Sequence, residues 1–339
     1  MNLGTLTEFL TNVKIQLTGL VHKTNEVKIL SKVCVIGSIN MDLVLNTKNL
    51  PKKGETILVK DIIKIPGGKG ANQAVAASRL GCQVSFVGAV GKDENGQILL
   101  ESMEKDGVRL EDINIMEGTS TGVAIITVDR DGNNTICVVS GANMELNLED
   151  VEKSKSSIEN SDVVITQLET PIEIGEKAFK IAKEFNKITI LNPAPAMEIK
   201  GEILKYTDII IPNETEAFEL TGVEITDLEK ARESAEVFLN KGVKFVVITL
   251  GSRGAAIISK EHSMIVPAFK VKAIDTTAAG DSFIGAMSSK LGQLRELNFE
   301  NIIEAVTLGN KVSSITVTRE GAQSSIPTLA EVRDAYGEV

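Results

Sequence analysis

The feature that most constrains this chain is a rhythm. From residue 32 onward, near-continuous apolar runs alternate with amphipathic stretches. The runs Val33–Ile36, Val84–Val87, Val163–Leu168, Ile188–Leu191, Ile209–Ile211 and Phe245–Leu250 read as buried strands. Such strands, apolar on both sides, suit a parallel sheet covered on both faces. Helical periodicity falls between them, at about 70–81, 93–106, 148–159, 172–185, 228–241 and 280–292. The alternation predicts a doubly wound α/β fold.

Two stretches break the rhythm. Glu55–Ile65 has no helical period and reads as extended strand. Thr121–Ser140 reads as a hairpin, with Gly122–Val128 and Thr135–Val139 flanking a turn at 129–134. Neither joins a parallel sheet easily, so together they predict a small antiparallel flap over one edge of the main domain. Flaps of this kind close on substrates and exclude water. The first 31 residues lack the basic start, apolar block and small-residue site of a targeting segment. Leu6, Leu10, Val13, Leu17 and Leu20 recur there at helical spacing, which predicts an appended amphipathic helix or a loose extension; a partner-binding helix is the alternative.

Composition narrows the function. At about 150 residues per domain, 339 residues allow two domains or one large domain with an appendage. Thirty-six basic side chains stand against 46 acidic ones, a net charge of −10, which argues against binding a nucleic-acid backbone. No apolar stretch approaches the roughly 18 residues that span a bilayer. The two histidines, His22 and His262, and the three cysteines form no CxxC or HExxH pattern, which argues against a zinc site and a histidine-based hydrolase. Cys34 and Cys137 lie in apolar runs and read as small buried hydrophobes of a protein in the reducing cytoplasm.

Three constellations carry chemistry. The stretch from Pro66 to Gln73 reads PGGKGANQ and enters a helix. Its glycines allow a ligand close to the backbone, with Lys69 and Asn72 suited to hydroxyls; a tight turn that merely starts a helix is the other reading. The stretch from Asp275 to Phe283 reads DTTAAGDSF and also enters a helix. Small residues leave amide N–H groups at a positive helix end, a ready anion site. Asp281 there is either a helix cap or a general base beside an anion hole, the pairing that phosphoryl transfer to an alcohol needs. The third constellation joins Pro212–Glu216 and Thr249–Gly254, each after a predicted strand. Ligands bind beyond the carboxyl ends of such strands. Asn213 and Glu216 can face one site, with Glu216 holding a hydrated Mg²⁺ indirectly, or they can form a capping box.

Together these residues resemble the ribokinase/PfkB family of sugar kinases over about residues 32–330. The stretches that carry the resemblance are GSINMD at 37–42, GGKGANQAVAA at 67–77, QLETP at 167–171, LNPAPA at 191–196, PNETEA at 212–217, TLGSRG at 249–254, DTTAAGDSF at 275–283 and VTREGAQSSIP at 317–327. The resemblance implies a Rossmann-like, mainly parallel sheet with a small antiparallel β lid near 42–65 and 109–140, the kinase domain occupying 32–339. It implies ATP-dependent phosphorylation of D-ribose at the 5-hydroxyl, with Mg²⁺, activation by K⁺ or another monovalent cation, and a homodimer formed through the lid. A related sugar or nucleoside kinase, or a non-catalytic sugar sensor, is the alternative.

By the same resemblance, Asn40, Asp42, Gly68, Lys69, Asn72 and Glu169 match sugar ligands. Asp281 matches the catalytic base, with Ala278, Ala279 and Gly280 supplying anion-hole amides. Asn213, Thr249, Gly251, Ser252, Gly254 and Asn310 match nucleotide contacts, and Glu216 the residue linked to Mg²⁺. Asp275, Thr277, Thr316, Arg319, Gly321 and Ser325 match the monovalent-cation loop, several through backbone carbonyls. The sequence departs from the pattern in its 31-residue extension and in reading Thr-Ala-Ala-Gly where Thr-Gly-Ala-Gly is commoner. Alanine leaves the backbone N–H free, so no loss of activity is expected.

Overall fold

The structure, a computed structural model, describes residues 31–130 and 133–338. The helix expected in the N-terminal extension lies outside the described residues.

The strands, in chain order, are β1 (Lys32–Ile36), β2 (Asn40–Asn46), β3 (Ile63–Gly67), β4 (Gln83–Gly91), β5 (Val108–Met116), β6 (Gly122–Val128), β7 (Asn134–Val139), β8 (Val163–Thr166), β9 (Ile188–Leu191), β10 (Ile209–Ile210), β11 (Phe245–Thr249), β12 (Ala255–Ile258) and β13 (Ser263–Val266). The main sheet has the order β13-β12-β11-β10-β9-β8-β1-β4-β5. From β5 to β11 every pairing is parallel. β12 and β13 close one edge as an antiparallel pair. The apolar runs make this sheet because their alternate residues feed two cores. Val33 and Val35 pack on one face with Phe283 and Met287, while Cys34 and Ile36 pack on the other with Ile174 and Phe179. A fully buried side chain of this size stabilises the fold by about 1.5–3 kcal/mol.

Chain direction reverses at β1. The path runs outward through β4 and β5, then returns to β8 on the other side and continues to β11. Loops after β1 and β8 therefore diverge at the carboxyl ends of adjacent strands, the crevice where open α/β sheets bind ligands.

The second sheet, β3-β2-β6-β7, is the lid. Its outer pairs are antiparallel as expected, but β2 and β6 run parallel, so the lid is mixed. The expected extended segment 55–65 contributes only its end, to β3. Residues 109–116, expected in the lid, extend the main sheet as β5 beside β4. The reason is its one-sided cover: β5 alternates buried and exposed residues, with the helix Glu94–Lys105 packed on it. Cys137 is exposed, contrary to expectation, because β7 is the lid's edge strand and none of its residues is covered. The helices Phe299–Thr316 and Leu329–Tyr336 complete the C-terminal part. No helix among the described residues is long and apolar enough to cross a membrane.

Candidate active site

The site begins where β1 ends. After Ile36 the chain turns through Gly37 and Ser38 into β2, whose first residue is Asn40. Asn40 and Asp42 lie two apart on a strand, so both face the same side. Both are buried, and Asn40 is held by a hydrogen bond from Asn143 Nδ2 to its Oδ1 at 2.7 Å. Gly68 opposes them with φ +91°, a conformation that disfavours any side chain, and a Cβ there would lie 2.6 Å from the Asn40 nitrogen. That close approach starts the helix Lys69–Arg79 against the lid strand. Glu169 arrives from the loop after β8. Its Oε2 accepts from Ser38 Oγ at 2.5 Å and from the Lys69 backbone N–H at 3.3 Å. The three motifs expected to hold a sugar thus meet at one point.

The second wall is the helix Ala279–Leu294. It crosses Lys69–Arg79 closely because residue 285 is glycine; a Cβ there would lie 2.8 Å from the Gln73 carbonyl oxygen. The crossing brings Asp281 beside the helix Lys69–Arg79. Asp281 does not cap its own helix. Its Oδ2 accepts from Asn72 Nδ2 at 2.9 Å and its Oδ1 from Gln73 Nε2 at 3.0 Å. Ala278 precedes the helix with φ +59°, the left-handed conformation that glycine adopts freely. This is the position at which the commoner motif has glycine, so the alanine holds local strain here.

Asp281 opens onto a cavity of about 190 Å³ that Lys69, Asn213, Glu216, Thr249, Ala278, Ala279 and Gly280 also line. Asn213 and Glu216 form the capping box foreseen as one alternative, each side chain accepting from the other's backbone N–H at 2.8 Å, and they line the cavity as well. A larger hollow of about 780 Å³ lies near Phe245, His262 and Phe299, at the amino end of β11. It is at the wrong end of the sheet for a ligand site of this fold.

The electrostatics are dominated by carboxylates. Burial, reinforced by the Glu169 and Asp281 charges, pushes the Asp42 carboxyl up to about 7, against the pull of Lys69. Burial alone would depress Lys69, but Asp281, Glu169, Glu216 and Asp42 outweigh it and hold the ammonium above its ordinary range. Burial also raises Glu216, against a hydrogen bond from the Asn213 backbone and the charge of Lys69. Lys69 makes no ion pair within 4.0 Å among the described residues, so its charge is shared rather than spent on one partner.

Other expected residues fall outside this cavity. Gly251, Ser252 and Gly254 form the turn after β11, beyond the cavity-lining Thr249, which bridges to Asn213. Asn310 is buried with its Nδ2 donating to the Val266 and Pro267 carbonyls. The two halves of the expected cation loop do meet. Asp275 accepts from Thr277 through one oxygen and from the Gly321 N–H at 2.9 Å through the other. These hydrogen bonds outweigh burial and lower its pKa. Thr316 donates to Ser282 Oγ at 3.0 Å, and Ser325 bonds the Ala322 carbonyl. Arg319 turns away to Glu331 at 2.8 Å, a loop-holding bond.

Sequence reasoning missed Ser38, Gln73, Asn143, Gln167 and Asn192. Four of them stand inside the motif stretches, but neutral amides and a hydroxyl carry no charge signal. The available sign was Gln73 itself, a polar side chain amid alanines on a helix face otherwise fit for burial.

Comparison with known proteins settles the ancestry of this geometry. Residues 30–329 match the profile described as pfkB family carbohydrate kinase. The chain belongs to the pfkB family of carbohydrate kinases. Among its relatives is a ribokinase of Staphylococcus aureus, 43% identical over 89% of this chain and 98% of that protein. Another is a bifunctional ribokinase/ribose-5-phosphate isomerase A of Fructilactobacillus sanfranciscensis, 44% identical over 91% of this chain but only 57% of that longer protein. The structure of Arabidopsis thaliana ribokinase complexed with ribose and ATP matches with a TM-score of 0.82 and 30% identity, over 90% of this chain and 98% of that one. The pfkB fold, with its large mainly parallel sheet and smaller lid sheet, is the one described above.

Proposed function

We propose that this enzyme transfers the γ-phosphoryl group of ATP to O5 of D-ribose, giving D-ribose 5-phosphate and ADP. The observation that carries the reading is the placement of Asp281. One carboxylate stands between a pocket of hydroxyl ligands and the N-terminus of the helix Ala279–Leu294, where the Ala279 N–H donates to the Thr276 carbonyl at 3.2 Å. In this reading Asn40, Asp42, Gly68, Lys69, Asn72 and Glu169 hold the sugar. Carboxylates and amides suit it because each oxygen accepts from one hydroxyl. Asp281 takes the proton from O5. The O5 lone pair forms the new bond to the γ-phosphorus, and the bond to the bridging oxygen breaks, its electron pair leaving with ADP. The amides of Ala278, Ala279 and Gly280 and the Lys69 ammonium face the developing charge. Asn213, Thr249, Gly251, Ser252, Gly254 and Asn310 serve the nucleotide.

The donor set fits a magnesium ion that arrives with the nucleotide. Among the described residues no three His, Cys, Asp or Glu gather as a metal cage, while Glu216 presents one carboxylate to the cavity. That suits an ion that keeps most of its waters, and when bound it neutralises phosphate charge. Asp275, Thr277, Thr316, Gly321 and Ser325 would hold K⁺ in the loop below the anion hole, with Arg319 fixing the loop. Residues 1–31 are an extension to this kinase domain, and the free cysteines suit a cytoplasmic enzyme.

The test is ADP release from MgATP with ribose, deoxyribose, fructose, adenosine or no sugar, in K⁺ and in tetramethylammonium. Selective release with ribose, faster in K⁺, is expected. Turnover with another sugar only, or none with any, refutes the assignment.

The lid supplies a further expectation. The face that carries Asn40 and Asp42 continues outward through Val44, Ile63, Ile126, Ile136 and Val138. Ile63, Ile136 and Val138 are 47%, 55% and 51% exposed, an apolar face too bare for a lone lid. The enzyme is therefore expected to dimerise through the lid. Light scattering should give twice the chain mass, and a monomer at working concentration would refute it.

A further inference from the structure

Behind the general base runs a chain of buried amides. Gln73 is wholly buried, and Gln167, Asn192 and Asn72 are nearly so. Gln73 Nε2 donates both to Asp281 Oδ1 at 3.0 Å and to Asn192 Oδ1 at 3.1 Å. Its Oε1 accepts from Gln167 Nε2 at 2.7 Å. Asn192 Nδ2 in turn donates to the Ile211 carbonyl at 3.1 Å.

Amide orientation normally has to be assigned rather than observed. Here it is forced from both ends. The Ile211 carbonyl can only accept, so Asn192 must turn its nitrogen there and its oxygen to Gln73. An ionised Asp281 can only accept as well, so Gln73 must present nitrogen to both. Its oxygen is then left for Gln167. A flip of Gln73 would set an oxygen against two acceptors and leave the Gln167 donor facing another.

The other partner of Asp281 is less constrained. Asn72 donates to Oδ2, but its own Oδ1 is buried without a partner. Asn72 is therefore held by Asp281 at one end only, whereas Gln73 is held by Asp281, Asn192 and Gln167 together.

From this asymmetry we infer that Gln73 is a positioning residue for the reaction: it fixes the plane of the Asp281 carboxylate so that the free lone pair of Oδ2 is aimed at the attacking hydroxyl. The inference rests on the reading of Asp281 as base. The torsion of an aspartate carboxylate about its last bond is broad and roughly two-fold, so a base held by one donor alone would swing. Gln73 also ties the base to both halves of the substrate site. Gln167 lies two residues from Glu169 on the sugar side, and Ile211 two residues before Asn213 on the nucleotide side.

Two variants test this, with Asp281→Asn assayed beside them. Gln73→Met keeps the length and removes every hydrogen bond. It should lower kcat about tenfold or more while KM for ribose and for ATP stays within about threefold, since no substrate contact is removed. Gln73→Glu keeps the shape and sets a second carboxyl against Asp281, among the charges of Asp42, Lys69, Glu169 and Glu216. The two would share a proton, and the acidic limb of kcat/KM should move up by more than one pH unit. A merely structural amide would lower Tm without moving either readout. Should Gln73→Met fail to fold, the near-isosteric Gln73→Glu decides alone. A folded Gln73→Met with kcat within twofold of normal, or an unmoved limb in Gln73→Glu, overturns the inference. Near-normal turnover in Asp281→Asn overturns instead the assignment of the base on which it rests.

Discussion

Replacing Asp281 by asparagine is expected to lower kcat by at least about a hundredfold while ribose and ATP bind within a few-fold of normal. The new side chain has the same shape and can keep the network intact. Its oxygen can accept from Gln73, which Gln167 also holds. Its nitrogen then faces Asn72, whose Oδ1 is otherwise unpartnered. The pocket should therefore survive, and only the proton acceptor is lost. A hundredfold is about 2.7 kcal/mol in the barrier, the lower end of what a positioned base contributes. In the proposed reading, what would remain is the catalysis supplied by the amides at the start of the Ala279–Leu294 helix and by the metal-bound nucleotide. The measurement is steady-state kcat and KM, with calorimetric ribose binding to show that the site is formed. Near-normal turnover would show that the carboxylate orients substrate without taking its proton.

Much of this arrangement was legible in the sequence, for a physical reason. Strands buried on both faces must be apolar throughout, so β1, β8, β9 and β11 announce themselves. The loops that follow carry the glycines and acids because ligand sites lie at strand ends. What escaped was structure made by partners far away in sequence. β5 alternates polar and apolar residues and looks like a lid strand until its pairing with β4 is seen. The parallel register of β2 on β6 has no local signal, since it depends on a connection of some 80 residues passing through the main sheet. The amide chain behind Asp281 is likewise invisible, because Gln73, Gln167 and Asn192 come from three separate elements. The capping box at Asn213 shows the converse. Its local spacing predicts a cap as one of two readings, and the cap that forms also builds the wall of the cavity.

Replacing Lys69 by methionine should be as damaging as loss of the base, but by another route. Methionine preserves the length of the side chain and removes its charge. Four carboxylates, Asp42, Glu169, Glu216 and Asp281, then face one another without their shared cation. Removing one partner of a well-buried charge cluster costs about 3–5 kcal/mol, and the partial exposure of Lys69 places this case toward the lower figure or below. A loss of about a hundredfold or more in kcat/KM is expected for ribose and for ATP, with KM rising for both. The anionic triphosphate meets the same uncompensated acids that the sugar does, so a defect confined to one substrate is not expected. The pH dependence gives an independent readout. In the parent enzyme burial and the neighbouring acids push the Asp42 carboxyl up to about 7, and in the proposed reading the sugar hydroxyls would donate to its ionised form. Ribose affinity should therefore weaken as pH falls through about 7 and recover above it. Lys69 is the charge that pulls this pKa down, so its removal must move the midpoint upward, and binding in the variant should need a more alkaline solution. Ribose titrations across pH 6 to 9, at constant ionic strength, measure both midpoints. A variant with kcat/KM within about threefold of the parent and an unshifted midpoint would mean that the four acids are compensated elsewhere, and that the Lys69 ammonium stands outside the chemistry. A shifted midpoint with intact turnover would instead confine the role of Lys69 to the sugar, leaving the helix-end amides as the chief counter-charge to the phosphoryl group.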